Sequence, residues 1–168
     1  MVGHWARIAW VTALVALPCA APAAAATITA TTSAKVVKPL VLNRLQDLDL
    51  GTVMLGSGSF SGATLSLSAG GVRTCPVQIT CSGATQVAAY NVAGTNNMVV
   101  RISTPDVLLV NQSDGSKTLQ LTVDGPTSVV LTSSGPPGVD FQLGGSIKLD
   151  STTAPGLYQG TFNVTVDY

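Results

Sequence analysis

Two cysteines and a pair of aspartates are the residues of this chain whose spacing suggests chemistry. Cys75 and Cys81 have five residues between them, and Asp47 and Asp49 have one. Redox-active pairs have two residues between their cysteines, so the longer spacing favours a structural bridge. Closing a loop of about seven residues would stabilise the fold by about 2 kcal/mol on the chain-entropy model. We predict that Cys75 and Cys81 form a structural disulfide.

The stretch between the two cysteines must change direction if that bridge forms. Val77 and Ile79 alternate as they would in a strand. In a straight strand, six steps of about 3.3 Å would separate the two α-carbons by about 20 Å. A disulfide needs them within about 7 Å. Pro76 lacks an N–H and can release one end from a strand ladder, so we predict a bend at this point.

Asp47 and Asp49 resemble the opening of a calcium-binding loop, but the rest of the loop is absent. Gly51 occupies the position of the third ligand, and the sequence has no glutamate to supply the bidentate one. We interpret the pair as the polar face of a strand end and expect no metal and no cofactor. Paired aspartates also perform glycoside hydrolysis, an alternative that depends on the fold bringing two of them together in a cleft.

Missing residue types exclude much of the remaining chemistry. His4 is the only histidine, both tryptophans lie before residue 27, and glutamate is absent. Ser-His-Asp and Cys-His catalysis and histidine-containing zinc sites are therefore excluded. Residues 27–168 carry four lysines, three arginines and eight aspartates, which is no basic surplus for a nucleic acid. We predict a protein that is not an enzyme, with no catalytic residues and no nucleic acid partner.

Residues 1–26 have the pattern of a secretory signal peptide. His4 and Arg7 precede an apolar stretch at residues 8–17, and alanines at 23–26 supply a cleavage site after Ala26. The alternative is a membrane anchor, but a helix needs about 20 apolar residues to cross a bilayer. We predict a secreted protein of the periplasm or cell surface, with no membrane span once the signal is removed.

Period-two alternation dominates residues 27–168 and predicts a single all-β domain. In residues 117–123, Leu119, Leu121 and Val123 share one face while polar residues share the other. Similar runs lie at residues 28–42, 64–68, 77–80, 87–92, 98–103, 107–110, 129–131, 141–149 and 161–168. Glycine- and proline-rich turns separate most of them, and Gly144-Gly145 suggests a bend inside one strand. The pattern favours an antiparallel, immunoglobulin-like β-sandwich, with a closed barrel as the rival.

Short motifs in a fixed order suggest a family. They are Leu48-Asp49-Leu50-Gly51, Tyr90-Asn91-Val92 with Gly94, Phe141 with Gly144 and Gly145, and a closing series of Pro155, Gly156, Tyr158, Gly160, Phe162, Val164, Val166 and Tyr168. Together they resemble the secreted bacterial family known as domain of unknown function 4402, which is similar to spore coat U and pilin domains. The resemblance implies a pilin-like sandwich with an extracellular or periplasmic structural role, and it brings no catalytic residues.

Two functional hypotheses follow. The first is a fimbrial or coat-like surface subunit of a Gram-negative bacterium, joined by β-strand addition through residues 27–37 and 161–168. Its expected partners are copies of itself, other surface subunits and a periplasmic chaperone. The second is a monomeric, adhesin-like surface module that recognises its ligand through loops such as 56–62 or 135–138.

Overall fold

The computed structural model describes residues 27–168, and the predicted signal peptide lies outside this range. Val36–Tyr168 form one compact unit. Residues 27–35 are exposed and contain no strand. The described residues contain no helix and thirteen strands: β1 (Val41–Gln46), β2 (Thr52–Leu55), β3 (Ala63–Leu67), β4 (Arg73–Thr74), β5 (Ile79–Ser82), β6 (Ala88–Ala93), β7 (Val99–Ser103), β8 (Val107–Asn111), β9 (Thr118–Asp124), β10 (Ser128–Val130), β11 (Val139–Leu149), β12 (Tyr158–Gln159) and β13 (Thr165–Asp167).

One large sheet forms the main layer of the fold. Its strands follow the order β1-β6-β11-β9-β8-β12, and β3 pairs with both β11 and β4. All paired strands of the described chain run antiparallel. The two ends of this order, β1 and β12, do not pair with one another, so the sheet is open and the closed barrel is excluded.

Strand β11 changes its partner at a pair of glycines. Residues Val139 to Leu143 pair with β6, and Gly145 to Leu149 pair with β3. A Cβ atom at Gly144 would overlap the carbonyl oxygen of Leu67. Only glycine therefore allows the β3 backbone to approach β11 at the switch. The bend predicted at this glycine pair stays a prediction.

Two small sheets complete the sandwich, one over each half of the large sheet. The first has the order β10-β7-β13, and the second pairs β2 with β5. Two clusters of buried side chains form the core. The first core cluster comprises Ala88, Tyr90, Val92, Val100, Ile102, Leu131, Phe141 and Leu143. The second core cluster comprises Ala63, Leu65, Ile79, Leu121, Ile147 and Leu149.

The expected fold class is confirmed, because the chain is an all-β antiparallel sandwich. The predicted strand at residues 28–42 is wrong for residues 28–40, and β1 begins only at Val41. An alternating sequence forms a ladder only where a neighbouring strand satisfies its backbone groups. The C-terminal run, predicted over residues 161–168, is likewise a strand only at Thr165–Asp167.

Candidate interaction site between the edges of β1 and β13

Strand β1 has one free edge. Within the described chain it pairs with β6 alone, and the register shifts between Arg44 and Gln46. Two of its apolar side chains are also exposed to solvent: Val41 is 52% exposed and Leu45 is 55% exposed. The backbone groups on the far side of β1 are therefore available to another strand.

Strand β13 has a second free edge. It pairs with β7, from Thr165 opposite Ser103 to Asp167 opposite Arg101. In the described chain β13 has no other partner, and β10 occupies the opposite side of β7. The last strand of the fold thus forms the rim of the small sheet.

Three hydrogen bonds bring these two edges together. The Tyr168 hydroxyl donates to the carbonyl oxygen of Lys38 at 2.6 Å, and it accepts from the Thr95 N–H at 2.9 Å. The Lys38 N–H donates to Thr95 Oγ1 at 2.6 Å. Lys38 precedes β1 and Tyr168 follows β13, so the start of one edge lies against the end of the other.

The apolar side chains that lie on or next to the two edges are only half-buried, and we call the surface that they form the gap. All of them pack against the first core cluster: Leu40, Leu42, Phe162, Val164, Val166 and Tyr168. Because these side chains keep partial contact with water, a further strand laid along the gap would remove apolar surface from solvent.

The predicted disulfide is present, and neither of its cysteines lines the gap. Cys75 and Cys81 are bonded with their α-carbons 6.2 Å apart. The Ile79 N–H donates to the Pro76 carbonyl oxygen at 3.1 Å, which closes a turn between them. The predicted bend is thereby confirmed. Cys81 also packs against the second core cluster, so the bridge lies beside the core.

The aspartates that resembled a calcium loop make local bonds. Asp47 Oδ1 accepts from an Arg44 guanidinium nitrogen at 2.7 Å, and Asp49 Oδ1 accepts from the Gly51 N–H at 2.8 Å. Their neighbours Leu48 and Leu50 pack inward, as the alternation predicts. Across residues 27–168, no three side chains of types that bind metals lie close enough to hold an ion.

Among residues 27–168, the pKa values of Tyr90 and Asp114 are shifted, and each shift has a local cause. Burial raises the pKa of the Tyr90 hydroxyl, an effect that Arg44 partly offsets and Asp47 reinforces. The hydroxyl and then the backbone N–H of Ser116 lower the pKa of Asp114, which lies in the turn between β8 and β9. Tyr90 belongs to the first core cluster and stacks on Phe141, with ring centroids 5.5 Å apart.

Sequence reasoning did not identify Lys38 or Thr95 as parts of the contact between the edges. In this contact Lys38 contributes only backbone atoms, which any residue type supplies, and its bond to Tyr168 spans 130 sequence positions. Thr95 contributes its N–H and its hydroxyl oxygen, but only the tertiary fold brings it next to Lys38 and Tyr168. The only available indication was the tyrosine at position 168, whose ring has an apolar body and a polar tip.

A comparison with protein families gives one match. The model of the family described as domain of unknown function (DUF4402) matches residues 40–168. The chain belongs to this family. No curated protein and no solved structure matches it. The family predicted from the sequence is thus confirmed, whereas the similarity to spore coat U and pilin domains stays a prediction.

The DUF4402 match includes every strand and both edges of the gap. It begins at Leu40, the first apolar residue that lines the gap. The exposed residues 27–39 precede the matched part. Nothing in the described range 27–168 is a helix of the length and apolarity that a membrane crossing requires.

Proposed function

We propose that the protein is a non-enzymatic structural subunit, fimbrial or coat-like, of a bacterial surface. Copies join when residues 27–37 of one copy add as a strand in the gap between β1 and β13 of the next, while Lys38 keeps its bonds to Thr95 and Tyr168 in its own chain. The observation that carries this proposal is an amphipathic alternating segment that forms no strand in its own chain.

The alternation in that segment covers four of five positions on one face. Ile28, Ala30, Ala34 and Val36 share that face of an extended chain, and Thr32 is its one polar member. Threonine, serine or lysine occupies positions 29, 31, 33 and 35 on the other face. Ile28 is 93% exposed and Val36 is 90% exposed. Burying a side chain of this size contributes about 1.5–3 kcal/mol. Contact with an apolar surface would therefore lower the free energy of the segment.

The gap supplies the hydrogen-bond partners and the apolar contacts that such a segment lacks. The free edges of β1 and β13 supply backbone donors and acceptors, and the half-buried side chains between them supply an apolar floor. Eleven extended residues span about 36 Å, whereas the six residues of β1 span about 20 Å. The segment is therefore long enough to leave one copy and run the length of the gap in another.

The disulfide favours an exported location. Bonded cysteines persist in oxidising compartments such as the periplasm and the cell surface. A subunit with an exposed donor segment and an open acceptor gap also needs protection before assembly. We therefore propose a periplasmic chaperone and other surface subunits as further partners.

The test compares protein spanning residues 27–168 with a variant that lacks residues 27–35 but keeps the compact unit. We expect concentration-dependent oligomers of the longer protein by light scattering and linear assemblies by electron microscopy. The shorter protein should be monomeric, and a synthetic peptide of residues 27–37 should bind to it. A strictly monomeric longer protein whose stability is unchanged by the deletion would rule out strand addition.

A matched pair of substitutions separates the two faces of the segment. Ile28→Lys places a charge on the apolar face and should abolish assembly, whereas Thr29→Lys places it on the polar face and should leave assembly intact. Equal behaviour of the two variants would contradict insertion of the segment as a strand with one buried face.

A further inference from the structure

A shallow trough crosses the outer face of the large sheet. It consists of two adjoining depressions of about 720 and about 590 Å³. Both are lined by Thr122 of β9 and Ser146 of β11. Because they share residues from neighbouring strands, they form one elongated surface that runs across the strands.

Hydroxyl groups form a row along the floor of this trough. Ser146 lies between two register partners, Ser66 on β3 and Thr122 on β9. Neighbouring strands are about 4.8 Å apart, so the three hydroxyls follow one another at that spacing. Such a row presents donors and acceptors at regular intervals.

Charged groups beside the row are of both signs. Asp106 Oδ2 accepts from Gln120 Nε2 at 3.1 Å and from Thr122 Oγ1 at 3.3 Å, which holds the carboxylate over β9. Lys148 and Asp150 line the other side. Among the described residues, the Lys148 ammonium has no ion-pair partner. The mixture of signs does not suit a polyanion or a polycation.

A polyhydroxylated chain fits this chemistry. Each sugar hydroxyl can donate one hydrogen bond and accept others, and the trough offers hydroxyls, an amide, a carboxylate and an ammonium along its length. Tyr158 forms one end, where its hydroxyl donates to the Ala154 carbonyl oxygen at 2.8 Å and fixes the ring. An oriented ring is a suitable surface for the apolar face of a sugar.

We propose that this trough binds a linear, uncharged oligosaccharide that lies across β3, β11 and β9. The proposal is independent of strand addition, because the trough lies on the outer face of the large sheet and uses none of the residues that line the gap. It also differs from recognition through the loops at residues 56–62 or 135–138.

The test uses isotope-labelled protein spanning residues 27–168, titrated with cellohexaose, maltohexaose and chitohexaose and followed by amide chemical shifts. We expect saturable shifts from at least one of these probes, concentrated at Thr122, Ser146 and Lys148. If none of the three binds, or if the shifts lie elsewhere, the proposal is overturned.

Substitutions locate the binding. Ser146→Tyr fills the point where the two depressions meet and should weaken binding about tenfold or more. Ser128→Tyr, on the exposed face of β10, is the control and should bind as the unchanged protein does. Lys148→Ala alters only an exposed side chain and should weaken binding even if Ser146→Tyr fails to fold. Unchanged affinity in the Lys148→Ala variant and in a folded Ser146→Tyr variant would refute the site.

Discussion

The Tyr168 hydroxyl donates a hydrogen bond of 2.6 Å to the carbonyl oxygen of Lys38, 130 positions earlier in the chain. The Tyr168 hydroxyl oxygen also accepts a hydrogen bond from the Thr95 N–H. One side chain thus fixes the position from which β1 begins and the position at which β13 ends, and it closes one end of the gap between them.

Removing the Tyr168 hydroxyl should destabilise the contact between the edges of β1 and β13. Tyr168→Phe loses two hydrogen bonds and should lower the free energy of unfolding by about 2 kcal/mol, since each bond contributes about 1 kcal/mol. Tyr158→Phe loses the single bond to Ala154 and should cost about half as much. Urea denaturation measures both losses. A Tyr168→Phe variant as stable as the unchanged protein would contradict the role of this contact.

The partner switch in β11 should not tolerate a methyl group. Gly144→Ala would force a Cβ atom into the Leu67 carbonyl oxygen, and we expect a loss of about 3 kcal/mol or more. Gly58 has open space around its Cβ position, so Gly58→Ala should change stability by no more than about 0.5 kcal/mol. Thermal unfolding measures the difference in stability between the two variants. Similar melting temperatures would contradict the close approach of the Leu67 carbonyl oxygen to Gly144.

The disulfide should stabilise the fold without being needed for any reaction. Replacing Cys75 and Cys81 by serine should lower the free energy of unfolding by about 2 kcal/mol, and reduction of the unchanged protein should give a similar loss. Mass spectrometry of exported protein should find both thiols protected from alkylation until reduction. Free thiols in folded, exported protein would be the contrary result.

Asn111 should be among the most sensitive polar positions of the sandwich. It is 1% exposed, donates to the Pro155 carbonyl oxygen and accepts from the Ser113 and Asp114 N–H groups. Asn111→Ala leaves these partners unsatisfied and should cost about 2–3 kcal/mol. Asn43→Ala, at an exposed position of β1, is the matched control in the same denaturation experiment, and an equal effect would contradict the assignment.

Stability should fall in alkali because of Tyr90. Burial raises the pKa of its hydroxyl above the ordinary value of 10.0, so the folded state favours the neutral form. The contribution is fully present below that ordinary value and is lost as the pH rises through the folded pKa. Tyr90→Phe should flatten this decline in urea midpoints measured at increasing pH. A decline of unchanged steepness would assign the alkaline sensitivity to other groups.

Strands with one apolar and one polar face were predictable from the sequence. The run at residues 117–123 became β9 because Leu119, Leu121 and Val123 all point inward. Strand β2 was missed, since Met54 is 64% exposed and interrupts the alternation. The polar second half of β1 gave no periodic pattern, and its pairing with β6 decides its conformation.

The predictable parts of the sites were those set by local sequence. The cysteine spacing was sufficient to predict both the bridge and its bend. By contrast, the gap and the trough depend on which strands become neighbours. Ser66, Thr122 and Ser146 lie in three separate runs, and only the register of β3, β11 and β9 aligns them.

Strand β11 also determines how the molecule should unfold. Its first half contributes Phe141 and Leu143 to one core cluster, and its second half contributes Ile147 and Leu149 to the other. Neither cluster can lose its packing while this strand stays in place, so unfolding of the compact unit should be cooperative and show one transition. Backbone amides in the middle of β11 should then be the slowest to exchange with solvent, because they open only when both halves do.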